Sequence, residues 1–165
     1  MRCLFMLCLL LQGCAFAWAQ NEATFRGYGY VFGAPGFTDY RSGQKPLAVS
    51  VGGGGEAGLV RGLTAGAELA YMHGNAGRYS SQYSMGMASL NASYHWGIRN
   101  RNRNVTPFST WGYTHGFNEA GNGSFFNLGA GAHYWFRPRL GVRFEFRDTA
   151  REAATVFFRI GLAFR

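Results

Sequence analysis

The chain has 165 residues, a formal net charge of +8, 17% aromatic and 15% charged side chains, 25 glycines and four prolines. That length bounds a single domain, and the composition excludes a disordered chain and a helical bundle; it suits strands that pack closely and carry aromatic belts. Mean hydropathy is -0.12, and beyond the first twenty residues no apolar run approaches the ~18 residues of a membrane helix.

Residues 1–19 read as an export signal: Arg2 is the basic start, Leu4 to Leu11 the apolar stretch, and Ala17-Trp18-Ala19 the small-x-small cleavage site before Gln20. Leu11-Gln12-Gly13-Cys14 also resembles a lipobox, which would leave Cys14 as a lipidated first residue. Cleavage after Ala19 is the preferred reading, because Gln12 fits its lipobox position poorly and the apolar run at 15–19 is an odd start for a lipoprotein. Cys3, Cys8 and Cys14 all fall within the signal. A mature domain of residues 20–165 therefore has no disulfide and must draw stability from elsewhere, for which a hydrogen-bonded barrel closed in lipid suffices.

Strand one is expected at 24–33, aromatic on both faces and so of unfixed parity, before a loop at 34–45 rich in Gly, Pro, Asp and Ser. Strand two, 47–60, puts Val49, Val51, Ala57 and Leu59 on one face and Ser50 and Glu56 on the other, and Arg61-Gly62 turns it tightly into strand three, 63–72, with Leu63, Ala65, Ala67, Leu69 and Tyr71 opposite Glu68. A polar loop, 73–81, leads to strand four, 82–98, where Ala88, Leu90, Ala92, Tyr94 and Trp96 alternate with Ser89, Asn91, Ser93 and His95. The basic link 99–104 precedes strand five, 105–117, with Trp111 and Tyr113 on its apolar face, and the turn 118–123 precedes strand six, 124–136. There Phe126, Leu128, Ala130, Ala132, Tyr134 and Phe136 alternate with Asn127, Gly129, Gly131 and His133.

Arg137-Pro138 turns the chain into strand seven, 140–147, and a loop at 148–154 into strand eight, 155–164. Leu140, Val142, Phe144 and Phe146, then Val156, Phe158, Ile160, Leu162 and Phe164, alternate with charged or small residues. A strict period of two gives each strand one apolar side. In a soluble sandwich that side meets a second sheet; in a membrane barrel it meets lipid and the charged side meets the lumen, and the export signal favours the second arrangement. Eight strands with longer loops at one end and shorter turns at the other predict an all-β fold, an eight-stranded antiparallel up-and-down transmembrane β-barrel with both termini periplasmic.

The Gly-rich second strand, Tyr94-His95-Trp96, the run Leu140 to Asp148 and the ending Gly161-Leu162-Ala163-Phe164-Arg165 resemble small bacterial outer-membrane β-barrel proteins of the porin-like, OmpA/OmpX-type class. The resemblance covers residues 20–165. It implies a Gram-negative outer membrane, phospholipid and lipopolysaccharide as lipid partners, recognition of the C-terminal strand by the barrel-assembly machinery, and a monomer. Members of the class typically end in an aromatic residue; here Arg165 follows Phe164, a departure from that pattern. The class fixes place and fold, while its members perform many tasks.

Six charges point to the interior: Glu56, Glu68, Arg143, Glu145, Arg147 and Arg159. An eight-stranded lumen is filled by its own side chains, so three acids and three arginines are expected to neutralise one another as a plug, with a gate or proton path as the alternative. Arg61, Arg99, Arg101, Arg103, Arg137, Arg139 and Arg165 are expected at the periplasmic rim against lipid phosphates, with Tyr94, Trp96, Tyr134 and Trp135 as an aromatic girdle. Gly52-Gly53-Gly54-Gly55 lacks the Gly-Lys-Ser/Thr of a phosphate loop and reads as room for large interior side chains.

His73, His95, His115 and His133 form no metal-ligand spacing. His95 and His133 fall near one end on strands separated by one other, where a metal site is the alternative to interior hydrogen bonding or interfacial packing, the expected role. No metal or other cofactor is therefore expected, and an exported barrel has little occasion for nucleic acid. Barrel enzymes that deacylate lipid A resemble His-x-Ser-Asn around their active site. The comparable stretches beginning at His73 and His115 lack that serine, though Ser80, Ser81 or Ser124 could supply a hydroxyl. A structural or surface-interaction role without enzymatic activity is the leading expectation. A narrow porin-like channel or carrier comes next, then a lipid A-modifying enzyme, then a soluble secreted sandwich.

Overall fold

The structure is a computed structural model describing residues 27–39, 46–60, 62–75, 82–96, 104–118, 121–150 and 154–165. The expected signal peptide and the start of strand one lie outside the described residues. Among the described residues eight strands, β1 (Gly27–Asp39), β2 (Leu47–Val60), β3 (Leu63–Asn75), β4 (Gln82–His95), β5 (Val105–Asn118), β6 (Gly121–Arg137), β7 (Leu140–Ala150) and β8 (Ala154–Phe164), pair antiparallel in chain order. The barrel closes where β8 pairs with β1. Closure leaves no strand edge unpaired, which is the condition for placing a sheet in hydrocarbon.

Alternation sorts the side chains as the period of two requires. Leu69, Leu90 and Phe126 stand 67%, 71% and 71% exposed, and Phe144, Phe158 and Ile160 are exposed on the far wall. Glu56, Glu68, Asn127, Arg143, Glu145, Arg147 and Arg159 are buried at the centre. Hydrophobic outside and ionic inside is the reverse of a water-soluble domain, so the soluble sandwich is set aside.

The strands are longer than the turn signals suggest. β1 runs on through Pro35 and Gly36 to Asp39, where a loop is expected from residue 34. Its ladder with β2 is unbroken across this stretch, while pairing with β8 lapses at Ala34 and Pro35 and resumes at Gly36 in the same register. Proline lacks an N–H and loosens one ladder, but the other neighbour holds the strand extended. β3 likewise extends to Asn75, β7 to Ala150, and β5 and β6 pair as far as Asn118 with Gly121, so the expected turn at 118–123 is mostly strand. β4 ends at His95, short of the expected residue 98. Strand one's parity is now fixed: Tyr28, Tyr30 and Phe32 point inward and Val31 outward.

Small residues on the inner face make the lumen's filling possible. A Cβ at Gly66 would meet Glu56 Cγ at 2.8 Å, and one at Gly129 would meet Glu145 Oε1 at 3.0 Å. At Gly131 it would run into the Phe144 carbonyl and Phe108 Cζ, the latter at 2.7 Å. Gly131→Val is therefore expected to lower stability by about 1–3 kcal/mol, as overpacking does. The neighbouring outward change Ala130→Val should leave it unaltered; urea unfolding midpoints of both variants in lipid vesicles check the difference.

Candidate functional site

The lumen is organised by β7, whose inward residues Arg143, Glu145 and Arg147 follow one another two apart and so stack along one line. Glu145 sits between the two arginines: Arg143 Nε donates to its Oε2 at 3.1 Å and Arg147 Nε to its Oε1 at 2.6 Å. Acids from the opposite side of the barrel complete the chain. Arg143 Nη1 donates to Glu56 Oε1 on β2 at 3.0 Å, and Arg147 Nη1 reaches both oxygens of Glu68 on β3 at 3.2 and 3.3 Å. Arg159 on β8 clamps Glu68 through two nitrogens, at 2.9 and 2.5 Å, and lies 3.6 Å from Glu145.

All six charged groups thus belong to one connected network that crosses the lumen. The arginine planes are also covered by rings: Arg143 lies 4.1 Å from the Phe108 centroid and 4.5 Å from that of Tyr30, and Arg159 lies 3.8 Å from that of Phe32. Aromatic faces satisfy cations where water is excluded. Tyr30 donates to Glu68 at 3.0 Å, and Arg143 Nη1 also donates to the Tyr28 hydroxyl.

Toward the end that carries the chain termini, the network continues into histidines. Glu56 Oε2 accepts from Thr64 Oγ1 at 2.6 Å and lies 3.0 Å from His95 Nε2, so that nitrogen carries the proton. Arg143 Nη1, which already donates to Glu56 and Tyr28, also lies 3.3 Å from His133 Nε2. The two imidazoles stack, 5.5 Å apart. Their nitrogens are engaged with Glu56 and Arg143, and among the described residues no group of three or more metal-type ligands converges.

Trp135 corrects the expected girdle. Adjacent strand residues face opposite sides, so Tyr134 and Trp135 cannot both look outward. Tyr134 is exposed on the wall, whereas Trp135 turns inward, stacks on His133 at 5.6 Å and is covered by the Arg165 guanidinium at 3.9 Å. It caps the lumen at the terminal end. Tyr94 and Trp96 are half-buried and meet edge to face, 5.7 Å apart. Arg137, Arg139 and Arg165 are exposed at this end, while Arg61, Arg99, Arg101 and Arg103 lie outside the described residues.

The other half of the lumen is filled differently. An amide layer comes first, where Asn127 Nδ2 donates to Asn91 Oδ1 at 3.1 Å and to Thr114 Oγ1 at 2.8 Å. Beyond it Phe32, Ala34, Ala48, Met72, Met87 and Phe157 pack as an apolar plug, with Tyr83, Met85 and Phe125 against it. The signal for the inward methionines is the period of two, which sets Met72 in phase with Glu68 and Met87 in phase with Ser89.

On the outer wall, His73 and His115 each hydrogen-bond a serine directly across the ladder. His73 Nδ1 lies 3.0 Å from Ser84 Oγ and His115 Nδ1 lies 2.8 Å from Ser124 Oγ. Of the hydroxyls considered from sequence, Ser124 reaches a histidine, and Ser80 and Ser81 lie outside the described residues. Among the described residues no carboxylate hydrogen-bonds either imidazole.

A closed eight-stranded barrel with an apolar wall and a filled, ion-paired interior is a transmembrane β-barrel of the small bacterial outer-membrane class. The chain belongs to the outer membrane protein beta-barrel domain family, whose model matches residues 5–163. Among curated proteins none matches. Solved structures are similar in fold at low identity. Neisserial surface protein A aligns over 87% of this chain and 99% of its own, with a TM-score of 0.58 at 12% identity. Ail, the attachment invasion locus protein of Yersinia pestis, covers 84% and 96% with a TM-score of 0.57 at 12% identity. The N-terminal barrel domain of Pseudomonas aeruginosa OprF covers 84% and 98% with a TM-score of 0.53 at 20% identity.

Removing one member of the buried network strands its partners. Arg143→Leu leaves Glu56 without its arginine and Glu145 with Arg147 and Arg159 alone, and is expected to cost about 3–5 kcal/mol of stability. Adding Glu56→Gln to that variant should recover part of the loss, since the stranded charge is then gone. Urea unfolding of the two proteins in vesicles measures both steps.

Proposed function

We propose that this protein is a closed, non-conducting outer-membrane barrel whose role is structural or lies in surface interaction, with its termini on the periplasmic side. The observation that carries the reading is the lumen's double seal. An ion network joins β2, β3, β7 and β8 in one half, and a methionine and aromatic plug fills the other. Ions crossing it would have to break pairs such as Arg147 with Glu145 and then enter apolar packing, so a channel or carrier is the weaker reading.

Work done by such a protein falls to its outer wall and to the segments joining β1 to β2, β3 to β4, β5 to β6 and β7 to β8. The name of Ail speaks of attachment and invasion, and one of its structures holds a heparin analogue. That likeness extends to fold alone, and it makes a surface partner a fair first search. The barrel is read as a monomer that reaches its membrane through the assembly machinery, with β8 as the strand recognised. Acyl transfer is disfavoured because the wall histidines hold a serine but no orienting carboxylate among the described residues.

Planar bilayers containing the refolded barrel should stay silent. Steady ohmic steps would replace this reading with that of a channel. Expression in a Gram-negative host should leave lipid A masses unchanged; a mass shift that disappears in His115→Ala would reassign the protein as a lipid-modifying enzyme.

A further inference from the structure

The outer wall is not uniformly bulky. Two neighbouring rungs of the ladder cross it, one through Gly53, Leu69, Ala88, His115 and Ser124, the next through Gly55, Ala67, Leu90, Tyr113 and Phe126. Where the small residues Gly53, Ala67 and Ala88 meet, the wall sinks into a groove of about 600 Å³, flanked by Leu69, Leu90 and Tyr113. That volume is within the ~300–1,000 Å³ typical of ligand sites. His115 borders the same groove on the side away from the chain termini.

His115 belongs to a polar belt. His73, Ser84, His115, Ser124 and Asp148 all lie on the outward face near the ends of their strands remote from the termini, mixed there with the exposed Phe117, a combination of polar and aromatic groups that suits the boundary between hydrocarbon and headgroups. Lipid ester groups lie at that boundary, with acyl chains running from it along the wall. Whichever partner carries the shared proton, the pair keeps one further donor, His115 Nε2–H or Ser124 Oγ–H, at the His115 edge of the groove. A donor at the edge of hydrocarbon needs an acceptor, and an ester carbonyl at the head of an acyl chain supplies one.

We infer that the groove between β2 and β5 is a binding site for one ester-linked fatty-acyl chain of a bilayer lipid, its carbonyl held by the His115–Ser124 pair. The inference rests on the chain's membership of a membrane-barrel family. The groove is continuous with the lipid-facing wall, so acyl chains are the neighbours it meets. A second barrel is a poorer occupant: a stable protein interface needs a broad surface of roughly 1,200 Å² or more, and Leu69 and Leu90 stand up beside a narrow trough.

The test is native mass spectrometry of barrel refolded in phosphatidylethanolamine and phosphatidylglycerol vesicles and released in mild detergent. Wild-type protein should retain one lipid. Ala67→Leu with Ala88→Leu, which fills the groove, should cut the lipid-bound fraction about tenfold. His115→Ala should cut it about threefold, as loss of one hydrogen bond does, and Ala130→Leu outside the groove should leave it unchanged. Equal retention in the filled variant, no retained lipid in wild type, or a lipid-free dimer each overturns the site. Heat-modifiable gel mobility, read on the same samples, reports membrane folding separately. Its absence would sink the barrel reading itself, whereas folded protein with unchanged lipid retention sinks only the groove.

Discussion

Six ionised groups shut inside a tube just wide enough for side chains are the constraint on which the rest of this structure depends. Burying charge in such a space is tolerable only when the charges cancel and each charged group is paired. Here Glu145 is shared by Arg143, Arg147 and Arg159, and Glu68 by two of these, so no arginine depends on a single acid. A plug of this kind adds little net stability over an apolar one of the same shape. What it adds is register. A slip of one residue would turn β7 inside out and place Arg143, Glu145 and Arg147 in hydrocarbon, at about 2–4 kcal/mol for each arginine near the midplane. An all-apolar lumen facing an apolar exterior would carry no such penalty.

The division of the lumen into two zones follows from where the acids sit. Glu56 and Glu68 occupy β2 and β3, across the barrel from the arginines of β7 and β8, so the pairs Arg143–Glu56, Arg147–Glu68 and Arg159–Glu68 span the tube and tie opposite walls together, while Glu145 is shared between β7 and its neighbour β8. Glycines on the inner face leave room for these long side chains to reach across. Past the last arginine, among the described residues, the inward positions switch to Met72, Met87 and Phe157, flexible or flat groups that fill an irregular end without demanding partners. The ionic half specifies the pairing; the apolar half completes the packing.

Much of this was legible beforehand, and the reasons for the misses are specific. β2 has the bounds that its alternation predicts, and the six inward charges lie together because a period of two fixes which side they face. Pro35 and Gly36 read as a loop because local turn chemistry carries no trace of the ladder that β2 imposes on β1. Residue type alone puts Trp135 in the girdle, against the parity that Tyr134 sets. Ser124 is legible in the sequence as a hydroxyl that could serve a histidine, and the pairing of β5 with β6 is what assigns it to His115, nine residues away.

The two faces of the sheet also answer to different demands, which explains why a sequence so informative about architecture says little about task. Inward positions are held by one another: altering one disturbs several partners, as the sharing of Glu145 implies. Outward positions need only be apolar to satisfy the membrane. Departures from that requirement, such as a glycine and two alanines clustered between leucines or a histidine and serine set opposite each other, are not demanded by folding. In a barrel whose interior is filled by its own pairs, specific chemistry has the wall and the connecting segments left to occupy, and those are the places where residue choice is free of the lumen's arithmetic of charge.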